Sequence, residues 1–195
     1  MNKRGHLMIT EAAAGSSVTG VNRFALMLGC ILPDLLVHTY LKGHTWKGSR
    51  DAMEDMLSQL EKQGSMNFIS FLRLGYVMHY IEDYFTFPHN ENFHKGFFSH
   101  VAYERKLSRF IRKDRNALAK VQPGCPLSAE LLSQYINQKH EYYLKQEPCE
   151  TNDIGCMMPA ASRIIQSCVM IFANHEAERE HIALPLNVHR EGRYL

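Results

Sequence analysis

Apolar residues recur along almost the whole chain at intervals of three and four, which is the spacing of one face of an α-helix. We find no run rich in valine, isoleucine and threonine, bounded by turn residues, that has the alternating pattern of a β-strand. The pattern therefore predicts an all-α protein. We expect helices at residues 6–16, 21–36, 49–63, 66–86, 96–120, 127–146 and 158–182.

The segments between these helices are rich in glycine, proline and polar residues. The longest is "QEPCETNDIGCMMP", residues 146–159, which we interpret as a polar connection, and we expect the tail from Leu184 to be irregular. The sequence contains no internal repeat, low-complexity tract or interdomain linker. A chain of 195 residues with 45% hydrophobic residues suits one core, so we expect a single domain over residues 1–195.

Composition narrows the possible partners and compartments. The formal net charge of +2, with 22% charged residues, does not indicate nucleic acid or an anionic membrane as an obligatory partner. The sequence has no apolar run of signal-peptide length at its start, and no later stretch reaches the roughly 18 apolar residues of a membrane span. We therefore predict a cytoplasmic protein without a transmembrane segment. The five widely spaced cysteines indicate neither a disulfide framework nor a thiolate zinc site.

The chain has eleven histidines, and two of them delimit the segment "HYIEDYFTFPH", residues 79–89. His79 and Asp83 are four residues apart on a predicted helix, so they share one face and can bind the same or adjacent metal ions. Glu82 points elsewhere on that helix, and we expect it to be solvated. His89 follows Pro88, which places it in a loop beyond the end of the helix.

A second pair with the same spacing, His100 and Glu104, lies on the next predicted helix. The two helices are joined by a short connection, so we expect them to be antiparallel neighbours with their histidine and acid faces across a cleft. A pair of this kind alone is more often a surface pair or a hydrogen-bonded buried histidine than a metal site. Together with His89, the pairs offer five donors, whereas a mononuclear catalytic zinc usually takes three, and this favours a multinuclear site.

The segment "LGYVMHYIEDYFTFPH" followed by "HVAYE" resembles a motif of the zinc-dependent phospholipase C and single-strand-specific nuclease superfamily. The resemblance covers residues 1 to about 110. The matching residues are Gly75, His79, Tyr80, Asp83, His89, His100 and Glu104, with the family's proline shifted to Pro88. The resemblance implies an all-α fold around a zinc cluster in a cleft between helices.

The resemblance also implies roles for the matching residues. His79 and Asp83 would belong to one zinc, with Asp83 bridging to another. His89, His100 and Glu104 would hold a separate zinc.

Three further metal positions come from the same resemblance. Asp34 resembles the family's aspartate at the first zinc, where it is a ligand or a general base. The family also needs a loop histidine some ten to fifteen positions later, and His44 fits this place better than His38, which is only one turn from Asp34. His6 matches the histidine that shares a third zinc with an N-terminal tryptophan in secreted members. Here the amine of Met1 would take the tryptophan's place, so we expect two or three zinc ions.

The predicted reaction follows from the chemistry of clustered zinc, which activates a bound water and neutralises charge on a phosphoryl group. We expect a zinc-dependent phosphoesterase that hydrolyses a phosphodiester, and the resemblance implies phospholipid- or nucleotide-like substrates. The expected partner is a small-molecule or lipid phosphoester, with nucleic acid as a substrate only. A non-enzymatic, metal-stabilised module that binds an anionic ligand is the alternative, and the oligomeric state is left open.

Two sets of residues near this motif allow two interpretations. The basic run "ERKLSRFIRKDR" fits either a solvated helix face or a surface that attracts phosphate. The nearby aromatic residues fit either core packing or a wall of the substrate cleft. These aromatic residues are Tyr40, Trp46, Phe85, Phe87, Phe93, Phe97 and Phe98.

Overall fold

The structure is a computed structural model, which describes residues 1–35, 45–113, 118 and 125–183. Its α-helices are α1 (Lys3–Ala14), α2 (Gly20–Ile31), α3 (Trp46–Gln63), α4 (Phe68–Tyr84), α5 (Phe97–Lys113), α6 (Ala129–Tyr143) and α7 (Glu150–Ala183). A single 3-10 turn, Phe87–His89, follows α4. The described ranges contain no β-strand, and the prediction of an all-α protein is confirmed.

Two helix boundaries differ from the prediction for identifiable reasons. Helix α2 ends at Ile31 rather than near residue 36. To continue the helix, residue 33 would have to donate a hydrogen bond to the carbonyl of Gly29, but the nitrogen of Pro33 carries no hydrogen. That carbonyl accepts a hydrogen bond from the Leu32 amide instead. Helix α7 begins at Glu150, so most of the predicted polar connection is helical, and its residues Ile154, Met157 and Met158 are buried in the core.

Helices α2 and α4 touch through their backbones at two glycines. A Cβ atom on Gly75 would lie 2.1 Å from the carbonyl oxygen of Leu26, and one on Gly29 would lie 2.0 Å from that of Leu72. Any larger residue would therefore force the helices apart. His79 lies one turn after Gly75 on α4, so this close contact also sets its distance from α2.

The start of the chain is held at the junction of α1, α4 and α5. The side chain of Asn2 caps α1 by accepting a hydrogen bond from the Gly5 amide at 3.0 Å. The same oxygen accepts a hydrogen bond from the hydroxyl of Ser108 on α5 at 2.8 Å. Met1 is consequently buried, with only 2% of its surface exposed.

Helix α7 is long and apolar enough, by length and composition, to cross a membrane over Glu150–His181. However, 61% of its most apolar window is buried inside the protein, as in the core helix of a soluble protein. Its residues Ala160, Ala161, Ile164 and Ile165 are fully buried in the core. The cytoplasmic location stays a prediction.

Candidate metal centre

His79 and Asp83 lie one turn apart on α4, and both are buried. The Nε2 atom of His79 is 3.4 Å from Oδ2 of Asp83. Because a carbonyl oxygen can only accept, Nδ1 of His79 donates to the carbonyl of Cys30 on α2 at 2.9 Å. This bond orients the ring and leaves the lone pair of Nε2 on the side of Asp83, as metal-binding histidines require.

His6 reaches the same carboxylate from α1. Its Nε2 atom lies 3.4 Å from Oδ1 of Asp83, and this buried atom forms no regular hydrogen bond with any residue that the structure describes. Its ring stacks on the ring of His79, with the centroids 4.0 Å apart. Three side chains thus converge at a place where a buried nitrogen lacks a regular partner, which fits a bound cation.

Glu82 orients His6, contrary to the prediction that it is solvated. It is fully buried, its Oε2 accepts a hydrogen bond from Nδ1 of His6 at 2.7 Å, and its Oε1 accepts one from the hydroxyl of Thr10 at 2.6 Å. Burial raises the pKa of Glu82 above its usual value, even though the contacts with His6 and Thr10 act in the opposite direction. The prediction was wrong because α4 is covered on several sides, so that Glu82 is as buried as His79 and Asp83.

Cys30 lies beside this arrangement. Its Sγ atom is 3.0 Å from the hydroxyl of Thr10, and the Cys30 thiol, His6 and Glu82 form a compact group of possible metal donors. Burial and the nearby Glu82 carboxylate raise the pKa of the thiol well above its usual value. This shift favours the protonated thiol, which can share a hydrogen bond with the hydroxyl of Thr10.

His89, His100 and Glu104 form a second donor group. Oε1 of Glu104 lies 2.8 Å from Nε2 of His100, one turn earlier on α5, and 3.1 Å from Nε2 of His89 on the 3-10 turn. Donor atoms of all three residues lie within 4.8 Å of one another. Burial would raise the pKa of Glu104, but the two histidines and the Met1 ammonium lower it below its usual range.

The N-terminal amine of Met1 lies between the two donor groups. It forms a close ion pair with Oδ1 of Asp83, and it lies 3.0 Å from Nε2 of His89 and 3.2 Å from Oε1 of Glu104. Burial lowers the pKa of the amine, but the carboxylates of Asp83 and Glu104 outweigh this effect and raise it to about 10. The negative field at this place thus favours a positive charge.

Asp83 is the residue that the two groups share. Burial alone would raise its pKa, but the cationic groups around it, beginning with His89 and the Met1 ammonium, lower the pKa well below its usual range. Its carboxylate is therefore ionised. An ionised carboxylate surrounded by imidazole nitrogens is a donor set that suits zinc.

Asp34 lies in the turn after α2, with its Oδ1 atom 3.9 Å from Nε2 of His79. One donor atom each from Asp34, His6 and His79 lie within 4.8 Å of one another. The Asp34 side chain is 19% exposed, more than those of these two histidines, and it lines the cleft. His44 and His38, the two candidates for the remaining ligand, lie outside the described residues.

The cleft has a volume of about 750 Å³, and its lining includes the second donor group and Asp34 beside the first. Its polar lining residues include Met1, Asp34, His89, His100 and Glu104. Pro88, Phe97 and Val101 add apolar surface, and Lys3 and Arg4 contribute positive charge. Of the aromatic residues singled out in the sequence, Phe97 thus lies on the cleft, whereas Phe85 is fully buried in the core.

Residues from the C-terminal helices hold His89 in place. The buried Asp153 of α7 accepts hydrogen bonds from the hydroxyls of Tyr143 and Tyr103 at 2.7 and 2.9 Å, and from the backbone amide of Phe87 at 3.5 Å. Asn90 donates to two backbone carbonyls at the end of α4, and its Oδ1 accepts a hydrogen bond from Nε2 of His140 at 2.7 Å. The 3-10 turn is therefore anchored from both sides.

The fold and the two donor groups together define an all-α protein with candidate metal ligands in a cleft. A sequence model of the family described as zinc-dependent phospholipase C matches residues 6–150. The match spans most of the chain, and the chain belongs to this zinc-dependent family. Comparison with curated proteins and with solved structures gave no match.

Proposed function

We propose that the chain hydrolyses a phosphodiester, of a phospholipid- or nucleotide-like compound, at a multinuclear zinc site. The position of Asp83 carries this proposal. Its Oδ2 atom faces His79 at 3.4 Å, while its Oδ1 atom faces His6 and His89, each at 3.4 Å. A carboxylate whose two oxygens face different imidazoles is suited to bridge two metal ions.

The proposed zinc ligands come from both donor groups and from the start of the chain. They are His6, Asp34, His79, Asp83, His89, His100 and Glu104, with the amine of Met1 and either His44 or His38. Zinc bound there supplies a nucleophilic water near neutral pH and neutralises charge on the phosphoryl group.

The chain's own residues would position the substrate and move the proton. Asp34 lines the cleft beside His79, so its carboxylate can accept the proton of the attacking water. Lys3 and Arg4, which line the same cleft, attract the anionic phosphate. Phe97 and Val101 provide an apolar wall for the remainder of the substrate.

A substrate panel on protein of measured zinc content tests the proposal. The panel comprises a generic phosphodiester, a phosphomonoester, a phosphocholine ester and a single-stranded oligonucleotide. We expect hydrolysis of at least one diester, and Asp34→Asn should lower kcat by about 10²- to 10⁴-fold. Asp55→Asn, which changes an exposed carboxylate on α3, is the matched control and should leave kcat unchanged.

Two other outcomes would contradict parts of this proposal. Full zinc content without turnover of any ester in the panel would contradict hydrolysis and favour the metal-stabilised binding module. Equal rates for Asp34→Asn and the control would exclude Asp34 as the general base.

A further inference from the structure

Four arginines surround a groove between the start of α1 and the outer face of α5. Arg105, Arg109 and Arg112 follow one another on α5 at spacings of four and three, so they lie on one face of the helix. Arg4 of α1 lines the same groove. These side chains, with Asn2 and Ser108, line a groove of about 190 Å³.

The charges of these arginines are not neutralised by the residues that the structure describes. Lys106, within the same basic run, forms an ion pair with Glu150 at 2.6 Å and does not line the groove. Among the described residues, no ion pair includes Arg4, Arg105, Arg109 or Arg112. Within the basic run, Lys106 thus belongs to a surface ion pair, whereas the three arginines line a cavity.

Guanidinium groups favour one class of ligand. Their planar arrays of N–H donors match the oxygens of a phosphate group and can bind it through two hydrogen bonds at once. A concave site with four such groups and no described acidic residue in its lining is therefore selective for a phosphate or a similar compact anion.

The groove adjoins the cleft of the candidate metal centre. Asn2 and Arg4 line both the groove and the cleft. Where the groove meets the cleft, the hydroxyl of Ser108 donates a hydrogen bond to Oδ1 of Asn2 at 2.8 Å. A ligand whose reacting phosphate lies in the cleft can therefore extend along α5 into the groove.

We propose that this groove is a second phosphate subsite, which binds a phosphate group of the substrate other than the one that is hydrolysed. The inference rests on the proposed function, because it places the reacting ester in the cleft. The second phosphate can come from a 5′-phosphorylated nucleotide chain or from a phosphorylated lipid head group. Both present the same dianionic phosphomonoester to the arginines.

Two pairs of soluble ligands test the subsite. One pair is a thymidine dinucleotide with and without a 5′-phosphate, and the other is dihexanoyl phosphatidylinositol with and without a phosphate on the inositol ring. Equilibrium binding to zinc-loaded protein is measured at 4 °C, and the ligands are checked for integrity by chromatography. In at least one pair, the extra phosphate should tighten binding about tenfold. The pair that responds identifies the source of the phosphate.

The double variant Arg109→Gln/Arg112→Gln should reduce this preference to less than about twofold, since it removes two guanidinium groups from the groove. The control is Arg73→Gln, which changes an exposed arginine of α4 outside both cavities and should keep the full preference. The inference fails if neither pair shows the preference in the native protein, or if the preference survives in the double variant.

This result is separable from hydrolysis. A preference for the extra phosphate without turnover of any ester would retain the subsite and contradict the proposed hydrolysis. Turnover of esters without the preference would contradict the subsite alone.

Discussion

The N-terminal amine of Met1 lies 3.0 Å from the Nε2 atom of His89, although the two residues are 88 positions apart along the chain. The amine also pairs with Asp83, so it touches both donor groups of the candidate metal centre. After loss of its proton, such an amine offers one nitrogen donor to a metal ion, which is the role that the family resemblance assigned to the start of the chain.

Adding Gly-Ser before Met1 tests this role. The extension turns the amine into an amide, which has no lone pair for a metal and no positive charge for Asp83. We expect the zinc content to fall by one equivalent, as measured by elemental analysis. The same dipeptide added after Leu195 is the control. An extended protein that retains the native zinc content would show that the amine is not a ligand.

Gly75→Ala should disturb both the fold and the site. The new methyl group would lie 2.1 Å from the carbonyl oxygen of Leu26, and only separation of α2 from α4 relieves this clash. We expect a loss of about 3 kcal/mol in the free energy of unfolding, measured by urea denaturation. Zinc affinity should also fall, because the hydrogen bond from His79 to the carbonyl of Cys30 depends on the same contact.

Gly155→Ala is the matched control for that variant. Gly155 lies inside α7, and a methyl group there would meet no heavy atom within 4 Å. We expect it to be neutral or to stabilise the protein by up to about 1 kcal/mol, because alanine is the better helix former. Equal stability of the two variants would contradict the close contact of α2 and α4.

Glu82→Gln should weaken zinc binding while the fold is retained. Glutamine can still accept the hydrogen bond from Nδ1 of His6, but it lacks the negative charge that makes the ring a stronger donor. We expect zinc affinity to fall about 10- to 100-fold in a competition assay with a chelating dye. Glu11→Gln, on the same helix as His6 but exposed, should keep the native affinity. Native affinity in Glu82→Gln would refute the orienting role.

The short-range features of the protein could be predicted from the sequence. The seven predicted helices correspond to α1 to α7, because the spacing of apolar residues is a local property. The pairing of His79 with Asp83 and of His100 with Glu104 follows from the pitch of a helix. Their convergence with His89 was expected from the short connection between the two predicted helices, and the family resemblance agreed with it.

Features that depend on tertiary contacts were missed or misplaced. The burial of Glu82 depends on Thr10 and His6, more than seventy positions away in sequence, although an acidic residue within an apolar stretch was a signal for it. The early start of α7 includes the buried Asp153, whose partners Tyr103 and Tyr143 lie on two other helices. Neither relationship leaves a periodic pattern in the sequence.

Asp153 should make stability depend on pH. Burial raises the pKa of its carboxyl from 3.8 to about 6, despite hydrogen bonds from Tyr143 and Tyr103 that favour the ionised form. Between these two pH values the folded protein holds a proton that the unfolded chain has released, so a rise in pH favours unfolding. The loss of folding stability that results from ionising Asp153 is absent below about pH 4 and complete above about pH 6.

The variant Asp153→Asn isolates this effect. Burial lowers the pKa of His140 to about 4, and this histidine makes stability rise with pH over a similar range, so the native profile alone mixes the two effects. The difference in free energy of unfolding, native minus variant, should fall by up to about 3 kcal/mol from pH 4 to pH 7. A difference that stays constant or rises would contradict the raised pKa of Asp153.

The most direct test of the proposed zinc site is elemental analysis of protein purified without chelators, together with thermal unfolding before and after the metal is removed. We expect two or three zinc ions per chain, and a lower Tm once they are removed, because bound metal stabilises the folded state. Asp83→Asn should lose both the bridged zinc and hydrolysis. A protein that contains no metal as purified, and whose Tm does not change on addition of zinc or of chelator, would contradict the account.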